Sequence, residues 1–296
     1  MDYIFLIIAV LLLGAQFTVS KLYQTKAGSG FFAATLFPLT GAIIPTIVFA
    51  CICKFNIPFN WFSFLMAAGA TLSIVIYTII GMKIMSISSV AFYTMFLMAG
   101  GMFVPFLYGI IFLNEQLSAF KIIGVILLLI ALVFPVLNKG QEKNKNIKLF
   151  IILSICIFVL NGLVGVFNKT HQISPFAIST YEFLFWQKLI ASIALFIVAS
   201  IYAFSKKDKT KIKFDIKNAL VLLPLVVIFV IFSQSSLVLQ LISAKTIDAA
   251  VMFPIITGGT IVFSSLFGMI FFKEKLNKQG LISLILALIA SLLFIF

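Results

Sequence analysis

FLNEQLSAFKIIG (Phe112–Gly124) and FFKEKLNKQGLIS (Phe271–Ser283) are two versions of one phrase. In each, a glutamate interrupts an apolar run, leucine follows two residues later, and a helix-capping residue type, Ser118 or Asn277, comes next. The glutamates, Glu115 and Glu274, stand 159 residues apart in a chain that has only eight acidic residues. Paired carboxylates commonly serve acid–base chemistry. Whether these two can meet depends on what lies between them.

Sliding the chain by 159 residues aligns 86–134 with 245–293 without a gap. Ala91 matches Ala250, Gly100 matches Gly259, Leu107 matches Leu266, Gly109 matches Gly268, and Ala131 matches Ala290. A slide of 148 aligns the start of the chain with its middle, matching Gly14 to Gly162, Lys21 to Lys169 and Gln24 to Gln172. The glycines and glutamates carry this signal, because Ile and Leu matches arise by chance in apolar segments. The chain is an internal duplication.

Composition defines what was duplicated. The chain is 63% hydrophobic and 10% charged, with 35 phenylalanines in 296 residues, more apolar surface than a soluble domain can hide. Ten apolar runs of about membrane-spanning length follow: 3–23, 31–53, 61–82, 89–112, 118–137, 147–167, 177–204, 219–241, 247–272 and 278–296. Continuous runs without ten-residue alternation favour helices over barrel strands. The sequence therefore predicts an all-α polytopic membrane protein of ten transmembrane helices, with five-helix repeats at 1–137 and 149–296 and a polar linker at 138–148. An acidic start without a small-residue cleavage site makes the first run a retained helix.

Five is odd, so the second copy enters the membrane from the opposite side. The two repeats are expected to be inverted, as in many secondary transporters whose site lies near the midplane. Glu115 and Glu274 then face opposite sides of an apolar layer roughly 30 Å thick and cannot share a substrate. Each is expected to fix a helix corner instead, with Ser118 or Asn277 capping the next helix.

All 21 basic residues are lysine and the net charge is +13. Sixteen lysines sit on the side that holds the odd-numbered gaps, four on the other side, and Lys188 within a helix. The positive-inside rule puts the odd gaps in the cytoplasm and both termini outside. No basic groove with interleaved aromatics is present, so no nucleic-acid partner is expected. Cys51, Cys53 and Cys156 lie in apolar runs without disulfide or CxxC spacing. A single histidine, His171, excludes HExxH and histidine-rich metal sites, and the four aspartates are scattered. No GxSxG elbow occurs, and Thr257–Thr260 (TGGT) lacks the lysine of a phosphate loop. No enzyme, metal or cofactor is expected.

The doubled glutamate phrase resembles the helix 4–5 and 9–10 corners of EamA-type members of the drug/metabolite transporter superfamily, and the likeness extends over essentially the whole chain. One departure stands out. The family commonly carries proline about thirteen residues before each glutamate, where this chain has Met102 and Ile261, with Pro105 and Pro254 displaced. The resemblance implies a cavity lined by helices 1, 3, 4, 6, 8 and 9, with helices 5 and 10 peripheral. It also implies transport of amino acids, other small metabolites or drugs.

Polar groups within the apolar runs are the candidate site, because an unpartnered one in hydrocarbon costs several kcal/mol. Substrate contacts are expected from Gln16, Tyr77, Tyr93, Asn161, Gln234 and Thr257. The neighbouring serines and threonines are expected instead to return bonds to their own helix or to join neighbours. Glu182 has two readings: an ion or coupling-proton site, or an acid near the interface compensated by Lys188 and Gln187. Asp248 is expected to cap helix 9, and Lys21 and Lys169 to snorkel to the interface. The expected function is a secondary transporter of a small polar or amphiphilic solute in the cell (plasma or inner) membrane. It would work as a monomer or homodimer by alternating access, with helix pairs 3–4 and 8–9 rocking. The alternative is a non-transporting receptor or assembly subunit.

Overall fold

The computed structural model describes residues 1–27, 31–87, 90–134, 147–205, 216–273 and 278–294. Every regular element among them is helical: α1 (Asp2–Ala27), α2 (Phe31–Ile52), α3 (Trp61–Ile87), α4 (Val90–Phe112), α5 (Ala119–Val133), α6 (Ile147–Ile173), α7 (Thr180–Ser205), α8 (Ile216–Ser243), α9 (Ala249–Phe272) and α10 (Lys278–Leu293). Continuous apolar sequence forces this choice, since a helix satisfies its backbone internally where no water is available. Glu274, Asn277 and Ser89 lie outside the described residues.

Seven helices are long and apolar enough to cross a membrane, and Phe37–Ile52, Ala119–Val133 and Lys278–Leu293 are shorter apolar helices. The 15 residues of α5 rise about 22 Å, less than a roughly 30 Å hydrocarbon layer. Ten helices lie among the described residues, and seven of these meet that measure over the residues searched.

The helices pair mainly across the middle of the sequence, α9 with α10 being the main pairing within one half. α1 packs on α8 and α9, α6 on α3 and α4, α2 on α7, α5 on α10, and α4 on α9. Exchanging 1–5 with 6–10 leaves this pattern unchanged. Hydrogen bonds give the directions. Asp2 at the start of α1 accepts from Ser243 and Thr246 at the end of α8, and Ala9 accepts from Ser236 at 2.6 Å. Lys169 near the end of α6 reaches the same α8–α9 corner. Thus α1 begins where α6 ends, and by the Tyr108–Thr170 hydrogen bond α4 also ends there.

Four glycines allow close crossings between the halves. A β-carbon on Gly14 would stand 2.7 Å from Phe263 Cβ, and one on Gly259 2.5 Å from Val10 Cγ1; these are the two sides of the α1–α9 contact. One on Gly100 would strike the Phe158 main chain and one on Gly162 the Val104 side chain, the two sides of the α4–α6 contact. The main buried cluster joins Leu6 of α1 and Met102 and Phe106 of α4 to Val125 and Leu128 of α5, residues of α9, and Ala287 and Ala290 of α10. Outward-facing Ile122, Ile126, Leu281 and Ile285 on α5 and α10 suit a lipid surface.

Candidate functional site

The six expected substrate residues sit on α1, α3, α4, α6, α8 and α9, and none hydrogen-bonds another among the described residues. Gln16, Tyr77 and Tyr93 are half-buried, and Thr257 is buried. Tyr93 packs its ring against Gly81 of α3, where a β-carbon would come within 2.5 Å of it. Asn161 donates to Leu97 O at 2.6 Å and leans on Gly101, joining α6 to α4. Gln234 donates to the adjacent Ser233 hydroxyl at 3.0 Å, but its buried carbonyl oxygen has no donor among the described residues. That acceptor stands out, because buried polar atoms are ordinarily paired.

Glu182 is placed by local geometry. It accepts from the Ser179 amide at 2.8 Å, while Ser179 Oγ accepts from the Glu182 amide at 3.4 Å. This is a capping box opening α7, and Ser-x-x-Glu is its sequence signature. Many serines and threonines bond back to their own helix, as Thr18 does to Gly14, Ser73 to Gly69 and Thr260 to Ile256. Ser236 instead bonds across to α1.

A polar cluster that sequence reading passed over lies where α3, α6 and α7 meet. His171 is fully buried, with Phe62 on one face and Phe183 stacked at 3.7 Å on the other. Gln172 Nε2 lies 3.1 Å from His171 Nδ1, so the amide donates there and leaves the imidazole proton on Nε2, 3.0 Å from Ser63 Oγ. Thr180 donates to Gln172 Oε1 at 3.0 Å, and nearby Gln187 donates to Asn168 at 2.8 Å. The sequence signal was faint: one His–Gln pair and isolated amides on separate helices.

The same end of the bundle holds Glu115, Asp248, Lys121 and Lys169. Glu115 accepts from the Ala249 and Ala250 amides, each at 2.7 Å, and so caps α9 from the α4–α5 corner. Asp248, the N-cap residue itself, makes no side-chain cap bond and stands 4.0 Å from Lys121 Nζ. The expected capping role therefore passes from Asp248 to Glu115, which has taken both amides. Lys169 is buried and does not snorkel; its ammonium donates to Ala244 O and Ile247 O at 2.9 and 2.7 Å. Lys21 is exposed and lies 4.6 Å over the Phe272 ring. Ser118 caps α5 as expected, accepting from the Lys121 amide at 3.2 Å.

The model of the EamA-like transporter family matches residues 148–296, half of the chain. The chain belongs to the EamA-like transporter family. Comparison with curated proteins finds no match. Among solved structures 28 chains match. One of them, described only as the crystal structure of a protein, is 13% identical and superposes with a TM-score of 0.72 over 99% of this chain and 95% of its own. At that identity the likeness shows a shared fold alone. For this EamA-like chain, family membership and seven spanning helices together indicate a multi-pass membrane transporter of small solutes.

Proposed function

We propose that the chain is a secondary transporter of the cell membrane. It moves a small polar or amphiphilic solute between two inverted five-helix repeats, all ten helices embedded, by alternating access. The observation that carries this reading is a burial difference between matched positions of α4 and α9. Val251, Met252, Pro254, Ile255 and Thr257 are buried, whereas the residues 159 positions earlier, Phe92, Tyr93, Met95, Phe96 and Met98, are not. Farther along, the difference reverses: Met102, Pro105 and Phe106 are buried, and their matches Ile261, Ser264 and Ser265 are partly exposed.

These buried residues occupy the half of α4 or α9 nearer Glu115. Equivalent sequence thus lives in two environments, closed at the Glu115 end and looser at the lysine-rich end. Inverted repeats in a one-sided state would produce that inequality, and exchanging the two environments would open the other side. The unsatisfied Gln234 carbonyl supports a solute that brings an N–H or O–H donor, with Gln16 and Asn161 as further amide contacts. Glu182, committed to its capping box, has no part in this proposed site.

The test is flux and thermal stabilisation in reconstituted protein across amino acids, nucleosides, sugars and cationic drugs. A transported solute should raise the melting temperature, and Gln16→Ala, Asn161→Ala or Gln234→Ala should abolish that rise. Neither flux nor stabilisation across the panel would favour a receptor or assembly subunit instead.

A further inference from the structure

We propose that Glu115 is the lock of the closed end, and that Asp248 replaces it as the cap of α9 when that end opens. The inference rests on the alternating-access reading above. Glu115 belongs to the α4–α5 corner, yet both its carboxylate oxygens are spent on the first amides of α9, 134 residues later. Asn114 takes a left-handed turn with φ 53°, and the Glu115 amide returns to Gly109 O at 3.1 Å, which turns the side chain back across α4. Gly109 is the passage: a β-carbon there would collide with the Glu115 carboxylate and stand 3.1 Å from Ala249 Cβ. Lys169 completes the grip by taking carbonyls of the same corner. An anion on the amides and a cation on the carbonyls complement the helix-end charges of α9 and α8 respectively.

A purely local cap would not need this arrangement. Asp248 already occupies the N-cap position with a residue type suited to it, but its side chain is 51% exposed and faces Lys121 at 4.0 Å. α9 therefore has two candidate caps, one from its own chain segment and one from the other half. Separating α4 from α9 at this end breaks the Glu115 bonds and frees the amides for Asp248. The open state keeps a capped helix, and the two carboxylates act with opposite signs on the equilibrium.

The experiment places spin labels at Leu117→Cys and Lys245→Cys, both exposed positions flanking the lock, with Cys51, Cys53 and Cys156 replaced by alanine. Distances are read in lipid nanodiscs without solute. Glu115→Gln removes the charge and one acceptor, and should raise the long-distance population about tenfold, the effect of one charge-assisted hydrogen bond. Asp248→Ala should lower it about threefold, the loss of an N-cap available to the open state alone. Unchanged distances in a folded Glu115→Gln protein overturn the lock. Shifts of the same sign in both variants overturn the exchange of caps. Should Glu115→Gln not fold, the Asp248→Ala population decides alone. Because no solute is needed, opening without flux would sink the transport reading and leave the lock standing, whereas flux with unchanged distances would do the reverse.

Discussion

Gly100 and Gly259 occupy matched positions but meet different obstacles. A methyl on Gly100 runs into the Phe158 main chain, which cannot rotate away, whereas one on Gly259 meets Val10 Cγ1, the end of a side chain. Gly100→Ala should cost about 1–3 kcal/mol, the usual range for overpacking, and Gly259→Ala less. Thermal unfolding in detergent checks the order, and an equal or larger loss for Gly259→Ala would refute it. These glycines stood out in the sequence as repeat markers because they recur at one spacing. Their use as contacts between halves was not legible, since Phe158 and Val10 carry no mark of what they touch. Glu115 was legible as a corner residue and illegible as the cap of α9 for the same reason. A side chain's reach across space leaves no periodicity.

Helices were more legible than contacts. The expected runs fall within a few residues of the observed elements at most ends, because polar gaps and apolar runs alternate cleanly. α6 is the larger miss, continuing to Ile173 rather than 167. Asn168, Lys169, Thr170, His171 and Gln172 read as a polar gap, but each finds a partner beyond α6 that keeps the helix going: Gln187, the Ala244 and Ile247 carbonyls, Tyr108, Ser63 and Thr180 respectively. Asn60 opens α3 by accepting from the Phe62 amide at 2.8 Å, and the Ser179–Glu182 box opens α7. Ser179→Ala should destabilise the protein by about 0.5–2 kcal/mol through loss of a cap, while leaving any solute-induced stabilisation intact. Thermal unfolding with and without solute separates the two. A lost solute response would give the box a role in the proposed site.

For the whole molecule, charge and packing bear on orientation together. Ser283 donates to Ala131 O, and Phe294 lies against Gly124, so α10 runs antiparallel to α5 and finishes near the end where α5 begins. Asp2 and Phe294 therefore lie toward Glu115. The two tryptophans also meet there: Trp61 and Trp186 edge-pack with Phe59, and the Trp186 indole donates to Pro58 O at 3.4 Å, an arrangement suited to an interfacial aromatic belt. By the positive-inside rule that end is expected to face the non-cytoplasmic side. A reporter fused to the C-terminus should be active only on the non-cytoplasmic side, and a cytoplasmic signal would overturn the charge argument.

The pairing of α1 with α8 and α9 also has a consequence for how the chain is made. When α1 leaves the ribosome, most of the protein that will cover it has not been synthesised, and the same holds for α2 and its partner α7. On the transport reading proposed above, α1 waits in the bilayer while α8, whose Ser236 will bond to Ala9 O, is still to be inserted. Folding is thus dominated by contacts distant in sequence, a topology that assembles slowly. The membrane, by holding each finished helix upright until its partner arrives, supplies the patience that such an order of assembly requires.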